Sequence, residues 1–432
     1  MYLLYNLLIH LVTIILFPFL IFKVLTTKKY RRGIKERLGY ISLDIKQRLK
    51  GNRPVWLHAV SVGEVNASLP LIKEIKKKYP TLDIVVSTVT ETGNNTARNK
   101  IKETENIIFF PFDHPWIIKR VIEYLNPKLF ITMETEIWPN FLRFLYTKNI
   151  PSVIFNGRIS SRSFKKYKMI GFFMKRVLFY LSFFGMQTEK DAERIIELGA
   201  KKERVKVLGN MKFDQALMLI SSEDKENREG SLDQLKNEKI MIAGSTHPGE
   251  EGKVLNVFRN IKTEYPSLVL IIAPRHLERV GEIESLIKRE GFGAIRKTSI
   301  TNELNKAFID KNNVLILDTL GELSKFYSIS TIIFVGGSLV PKIGGHNILE
   351  PIIYKRPVFF GPYMDNFLEI ASVIKEIGGG IQINNETEFI IKAKELLKNN
   401  ERLKESGEKA YKAIEENHGS VLKSLEILDR FI

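Results

Sequence analysis

From Met1 to Phe22 no side chain is charged, and the run "LLIHLVTIILFPFLIF" is broken only by His10, Thr13 and the ring of Pro18. Coiled as a helix, this stretch reaches about 33 Å, enough to cross a hydrocarbon core of about 30 Å. A cleavable leader would open on basic residues and close on a small-residue site, and this stretch has neither. The pattern predicts an uncleaved membrane anchor over residues 1–25, with Pro18 as a kink or interfacial exit. A buried core helix is the alternative.

The pattern changes at Val55, where short β-rich runs begin to alternate with longer helical ones, as in parallel α/β layers. Strands are predicted at 55–58, 83–88, 106–110, 129–133, 152–156 and 184–188, with helical stretches such as Leu69–Lys78 and Lys190–Leu198 between them. Ser221–Glu238 is polar and acidic, without an apolar stripe, and reads as a linker. Alternation resumes with strands at 239–244, 268–273, 314–318, 331–337, 357–361 and 380–383, and after Glu386 the chain reads as helical. The expected organisation is an anchor at 1–25, a first doubly wound domain at 26–220, a linker at 221–238 and a second doubly wound domain with C-terminal helices at 239–432. Ligands in such sheets bind beyond the carboxyl ends of the strands, which makes a cleft between the domains the default site.

Composition narrows the partners. The 432 residues carry 66 Lys and Arg against 49 Asp and Glu, a net charge of +17, which calls for an anionic partner: nucleic acid, membrane or a phosphorylated substrate. The anchor turns that choice toward the membrane. Thr26–Lys50 sets nine Lys or Arg against Glu36 and Asp44, and the positive-inside bias then keeps the body on the cytoplasmic side. The chain has no cysteine, which excludes disulfides and thiolate metal sites. G-x-G-x-x-G, G-x-x-x-x-G-K-[ST], H-E-x-x-H and D-x-D are all missing from the sequence, so nothing in it calls for a metal.

Several segments could carry chemistry. In "HAVSVGEVNA", Glu64 follows a predicted strand, and Ser61-x-x-Glu64 is also a capping-box spacing. In "METEIWPN", Glu134 and Glu136 follow the strand "LFIT", where carboxylates can act as acid or base; first-turn dipole placement is the alternative for Glu136. "GNMKFD" puts Lys212 at the end of the first domain. In "APRHLERV", Arg275 and His276 stand just past a strand, suited to a phosphate. Phe334–Pro362 holds the pairs Gly336-Gly337 and Gly344-Gly345 ahead of Asn347, where backbone could approach a ligand and a helix start could face a phosphate. Asn347-x-x-Glu350 fits a capping box as well. Arg158–Arg176 has seven basic residues, no acid, and Phe164, Phe172 and Phe173 interleaved, which suits a membrane interface, single-stranded nucleic acid or an ordinary basic helix face.

Taken in order, "HAVSVGEV", "METEIWPN", "NGRISSRS", "GNMKFD", "APRHLERV" and "GGHNILEP" resemble the 3-deoxy-D-manno-octulosonic acid (Kdo) transferases of lipopolysaccharide assembly. The resemblance implies a GT-B glycosyltransferase of two Rossmann-like domains, acceptor side first, with the last helix crossing back to the first domain. It implies CMP-Kdo as donor, the lipid A precursor (lipid IVA) as acceptor, and a place at the cytoplasmic face of the inner membrane behind a single-pass anchor, with no nucleic acid as partner. Position by position, Glu64 matches the family's general base, and Glu134 and Lys212 match residues that stabilise the transition state. Pro274, Arg275, Gly321, Glu322, Leu323, Asn347, Ile348, Leu349 and Glu350 match the CMP-binding segments. The implied reaction is a single inverting displacement without a metal or other cofactor. A UDP-sugar GT-B enzyme and a membrane-tethered nucleic-acid-binding protein are the competing functions.

Overall fold

The computed structural model describes residues 1–27, 31–226, 239–300 and 312–432. Its apolar runs assemble into two parallel sheets of seven strands each. The first contains β1 (Val55–His58), β2 (Ile84–Thr88), β3 (Ile107–Phe109), β4 (Leu129–Met133), β5 (Ser152–Gly157), β6 (Phe183–Met186) and β7 (Val205–Val207), in the order β3-β2-β1-β4-β5-β6-β7. The second contains β8 (Ile240–Thr246), β9 (Val269–Pro274), β10 (Gly293–Arg296), β11 (Asn313–Ile316), β12 (Ile332–Val335), β13 (Val358–Phe360) and β14 (Gly380–Gln382), in the order β10-β11-β9-β8-β12-β13-β14. In both sheets the winding reverses between the first strand and a later neighbour: β1 beside β4, and β8 beside β12. Ligands of doubly wound sheets sit at such switch points.

The central strands are buried along their whole length because helices cover both faces, which is why each reads as an unbroken apolar run. The two strands not predicted from the sequence, β7 ("VKV") and β10 ("GAIR"), are sheet edges with partly exposed side chains. One-sided burial removes the continuous apolar signal there.

The chain forms two compact units, Met1–Gln215 with Asn417–Ile432, and Ala216–Glu416. The helix Ser420–Leu428 belongs to the first unit, where Val421, Leu425 and Leu428 complete the core formed by Leu57, Val65 and Leu71. The second domain expected at 239–432 therefore ends sixteen residues earlier, and the last helix returns as the resemblance implies. Helix Met211–Glu226 runs into the expected linker, of which 227–238 lie outside the described residues.

The apolar N-terminus is a helix, Tyr2–Thr26, with Pro18 inside it. Among the described residues no helix is long and apolar enough to cross a membrane. Both flanks of this helix are tied to the first unit. Tyr2 donates to the Pro139 carbonyl (3.2 Å) and Tyr5 to Asp113 (2.8 Å), while Asn140 donates to Asn6 (2.7 Å). Beyond the helix, Glu36 accepts from the Phe109 N–H (2.6 Å) and Arg37 donates to the Val89 carbonyl.

Candidate functional site

The first constellation stands at the switch point of the first sheet. Helix Val62–Lys78 starts directly after β1, with Ser61 as its N-cap and Pro70 accommodated inside. Glu64 is the third helical residue. Its carboxylate accepts from the Val60 N–H (2.8 Å) and the Ser61 hydroxyl (3.1 Å), while Ser61 makes no side-chain cap of its own. Only the returning half of a capping box is therefore present, reaching one residue further back than the motif requires. A capping carboxylate is normally exposed, but Glu64 is only 7% exposed. Burial, with the nearby charge of Glu134 adding to it, pushes its carboxyl up to about 8, against the bond from Val60.

Glu134 follows β4 with φ of 55°, a left-handed conformation that costs a non-glycine residue energy. Its N–H bonds the Phe155 carbonyl (2.9 Å), and its carboxylate lies 3.9 Å from the Lys212 ammonium. Burial and then Glu134 also raise the carboxyl of Glu136, to about 7. Three carboxylates and one lysine thus converge beyond β1 and β4 from three separate segments.

Lys212 is held there by a network that residue types alone do not reveal. The Asn156 side chain accepts from the Met211 N–H (3.0 Å), the Asn210 side chain accepts from the Lys212 N–H (3.1 Å), and Gln187 joins the two through the Asn156 carbonyl (2.9 Å) and the Asn210 amide (3.1 Å). Asn156 is itself left-handed, at φ 55°. His58, adjacent to the motif in sequence, is a core residue: its Nδ1 is 2.9 Å from the Ser87 hydroxyl, its ring stacks on Phe110, and burial drives it down to about 3 and keeps it neutral.

The second constellation surrounds the switch point of the other sheet. After β9, Pro274 closes the strand, and the exposed Arg275 donates its N–H to the Thr246 carbonyl (3.1 Å). After β8, His247 sits 2.7 Å, Nε2 to Nε2, from His346 with the rings parallel, and edge-on to His276. Burial first, then Arg275, lowers His346 to about 3. One ring of the pair must donate to the other, so the pair holds a single shared proton between neutral imidazoles.

Glu250 was not singled out by sequence reasoning, yet it organises this end of the sheet. Fully buried, it accepts from the N–H groups of His247 (2.9 Å), Gly337 (2.7 Å), Ser338 (3.1 Å) and Leu339 (2.9 Å). A Cβ on Gly336 would stand 2.6 Å from the Ser245 carbonyl oxygen and 2.8 Å from the Glu250 carboxylate. The first glycine pair therefore admits the protein's own carboxylate rather than leaving room for a ligand. The second pair is left-handed, at φ 89° and 74°, and Gly345 donates to the Gly337 carbonyl (2.9 Å).

The expected helix start behind Asn347 is weaker than the sequence suggests. The helix is only Leu349–Ile352, with Ile348 as its N-cap, while Asn347 accepts from the Leu349 N–H (3.1 Å) and donates to Glu350 (3.4 Å). Four residues form one turn, too short for a substantial macrodipole. Gly321 is left-handed (φ 84°), Glu322 pairs with Lys297 (3.0 Å), and Leu323 opens the helix Leu323–Ile329. That helix packs against the helix Leu349–Ile352, and Ser324 meets Tyr354 just beyond it (2.9 Å between hydroxyls), so the two short helices lie side by side. Among the described residues no three His, Asp or Glu side chains are arranged to hold a metal ion.

The fold is that of the GT-B glycosyltransferases. A glycosyltransferase from Rickettsia africae superposes with a TM-score of 0.55 at 16% identity, covering 88% of this chain and 99% of that one. A putative UDP-N-acetylglucosamine 2-epimerase from Listeria monocytogenes gives 0.59 at 14%, covering 87% and 94%. At such identities the likeness speaks for architecture alone.

The chain belongs to the Kdo transferase family. A family model described as "3-Deoxy-D-manno-octulosonic-acid transferase (kdotransferase)" matches residues 32–215. The 3-deoxy-D-manno-octulosonic acid transferase of Haemophilus influenzae is 36% identical over 407 residues, covering 94% of this chain and 92% of that one. A bifunctional glycosyltransferase/methyltransferase of Fusobacterium nucleatum is 39% identical over 397 residues, and this chain spans 59% of its length.

Proposed function

We propose that the protein transfers Kdo from CMP-Kdo to a glucosamine hydroxyl of the lipid A precursor, lipid IVA, at the cytoplasmic face of the inner membrane, with Glu64 as general base and no metal or other cofactor. The observation that carries this reading is the burial of Glu64 beside Glu134 and Glu136 at a switch point, in a chain of this family. A carboxyl raised to about 8 is a stronger base, once ionised, than an exposed glutamate.

In the displacement, ionised Glu64 takes the proton of the acceptor hydroxyl while that oxygen attacks the anomeric carbon. The bond from that carbon to the CMP phosphate breaks, its electron pair leaves with CMP, and the configuration inverts. Glu134, left-handed beyond β4, is suited to positive charge building on the sugar, and Lys212 to balancing the carboxylates around it. On the second unit Arg275 supplies a bidentate donor for the phosphate. Gly321–Leu323 and Asn347–Glu350 are suited to the rest of CMP.

Incubation of the purified protein with CMP-Kdo and tetra-acylated lipid A precursor, followed by mass analysis of the lipid, tests the reading. A mass gain of one or more Kdo residues is expected. An unmodified lipid, together with tighter binding of UDP than CMP, would overturn it in favour of a UDP-sugar enzyme.

A further inference from the structure

Lys212 occupies a place that its own charge disfavours. It is the second residue of the helix Met211–Glu226, where the N–H groups of the first turn concentrate positive charge, so an ammonium there opposes the helix dipole. The acid that would balance it stands in the same turn. Asp214 closes the "GNMKFD" segment, and the reaction proposed above gives it no task. Its carboxylate is turned to a different helix. Oδ1 accepts from the Gly419 N–H (2.9 Å), and Oδ2 accepts from the Ser420 N–H (3.2 Å) and the Ser420 hydroxyl (2.8 Å).

Gly419 is the N-cap of the helix Ser420–Leu428 and has no side chain to cap with, so Asp214, 205 residues earlier in the chain, takes the part of the cap. Gly209 (φ 98°) and Gly419 (φ 96°) are both left-handed, and their turns press together. A Cβ on Gly209 would lie 3.4 Å from the Ser420 Cβ and 4.0 Å from the Asn417 carbonyl oxygen. Beside them Met211 shares a core with Val421 and Leu425. The start of the helix that bears Lys212 is thus gripped from two directions. Asn156 and Asn210 hold its N–H groups from the sheet, and the returning end of the chain holds it through Asp214. The chain leaves the first unit after Gln215 and re-enters it at Asn417, so this grip joins the exit of the chain to its re-entry.

We infer that Asp214 is a positioning residue for Kdo transfer: by capping the returning helix it locks the first turn of Met211–Glu226, so that Lys212 is presented to Glu134 only while residues 417–420 are docked. The inference rests on the reaction proposed above. Asp214 touches no reacting group, and its effect on the rate passes through Lys212. Asp214→Asn has nearly the same shape but sets N–H donors where the cap needs an acceptor. That frees the turn, and the ammonium drifts from the 3.9 Å that separates it from the Glu134 carboxylate. A misplacement of about 1 Å is enough to lower a rate by roughly a hundredfold.

The test is single-turnover Kdo transfer by full-length Asp214→Asn, Lys212→Met and the double variant, with hydrogen exchange of the amides of residues 211–213 as a second reading. Asp214→Asn is expected to slow transfer by roughly ten- to a hundredfold while its CMP affinity stays native. The double variant is expected to be no slower than Lys212→Met alone, because the two residues act as one. Exchange at 211–213 is expected to quicken in Asp214→Asn, while the strand Ile240–Thr246 keeps its native protection. Ser420→Ala removes one of the three bonds and serves if Asp214→Asn does not fold; it is expected to slow transfer in the native background and not in Lys212→Met. A native rate in Asp214→Asn, or losses that multiply in the double variant, would overturn the inference and leave Asp214 a residue of stability alone. If the native protein itself transfers no Kdo, the proposed reaction fails instead, and exchange still decides the positioning: quickened exchange at 211–213 supports it, and unaltered exchange overturns it.

Discussion

Glu64 holds the return half of a helix cap, and in the function proposed above it is also the base, two roles that a sequence cannot separate. The Val60 and Ser61 bonds fix where the carboxylate points, while burial and Glu134 set its proton affinity. A pH consequence follows. Its carboxyl rises from the ordinary 4.5 to about 8, so only about a tenth is ionised at pH 7, and kcat/KM is expected to climb about tenfold per pH unit up to that range and then level off. A rate already flat between pH 6 and 8 would contradict this. The same shift acts on stability with a definite sign: between 4.5 and about 8 the folded chain keeps a proton that the unfolded chain releases, so stability falls as pH rises through that window. Glu64→Gln is therefore expected to melt higher than the native protein at pH 8, by an amount that shrinks to nothing near pH 4.5; calorimetry at both pH values checks this.

At the scale of elements, the legible and illegible parts of the structure divide along burial. Central strands such as Leu129–Met133 and Ile332–Val335 are buried on both faces and declare themselves as apolar runs, whereas the edges Val205–Val207 and Gly293–Arg296 do not. Among the residues of the two constellations, Glu134 and Arg275 were legible because they directly follow apolar strands, and Glu64 because it lies in the first turn of the helix after one. Glu250, Asn156 and Gln187 were not, because their work consists of long-range bonds to backbone that no local spacing encodes. Glycine substitutions near β8 separate these influences. Gly336→Ala must displace either Ser245 or Glu250, so it is expected to lower the melting temperature by several degrees and weaken CMP binding. Gly252, in helix Glu251–Lys262, has no atom near the position of a Cβ, and Gly252→Ala is expected to stabilise by about 0.5 kcal/mol. Thermal melts of the two variants should move in opposite directions.

For the whole molecule, the first unit depends on both ends of the chain. The N-terminal helix is tied to it through Tyr2 and Tyr5, and the C-terminal helix through Asp214, which accepts from the Gly419 and Ser420 N–H groups (2.9 and 3.2 Å), and through buried Val421, Leu425 and Leu428. Removing Asn417–Ile432 exposes that core, and each large buried side chain is worth about 1.5–3 kcal/mol. The shortened chain is expected to lose cooperative unfolding of the first unit, as read by calorimetry. The central claim concerns the reaction that this frame supports. Its most direct measurement is the single-turnover rate of Kdo transfer to lipid IVA by Glu64→Gln, alongside CMP binding by the same variant. The expected result is a rate reduced at least a hundredfold with CMP affinity unchanged, since Arg275, Gly321–Leu323 and Asn347–Glu350 are untouched. Transfer at close to the native rate would contradict Glu64 as the base.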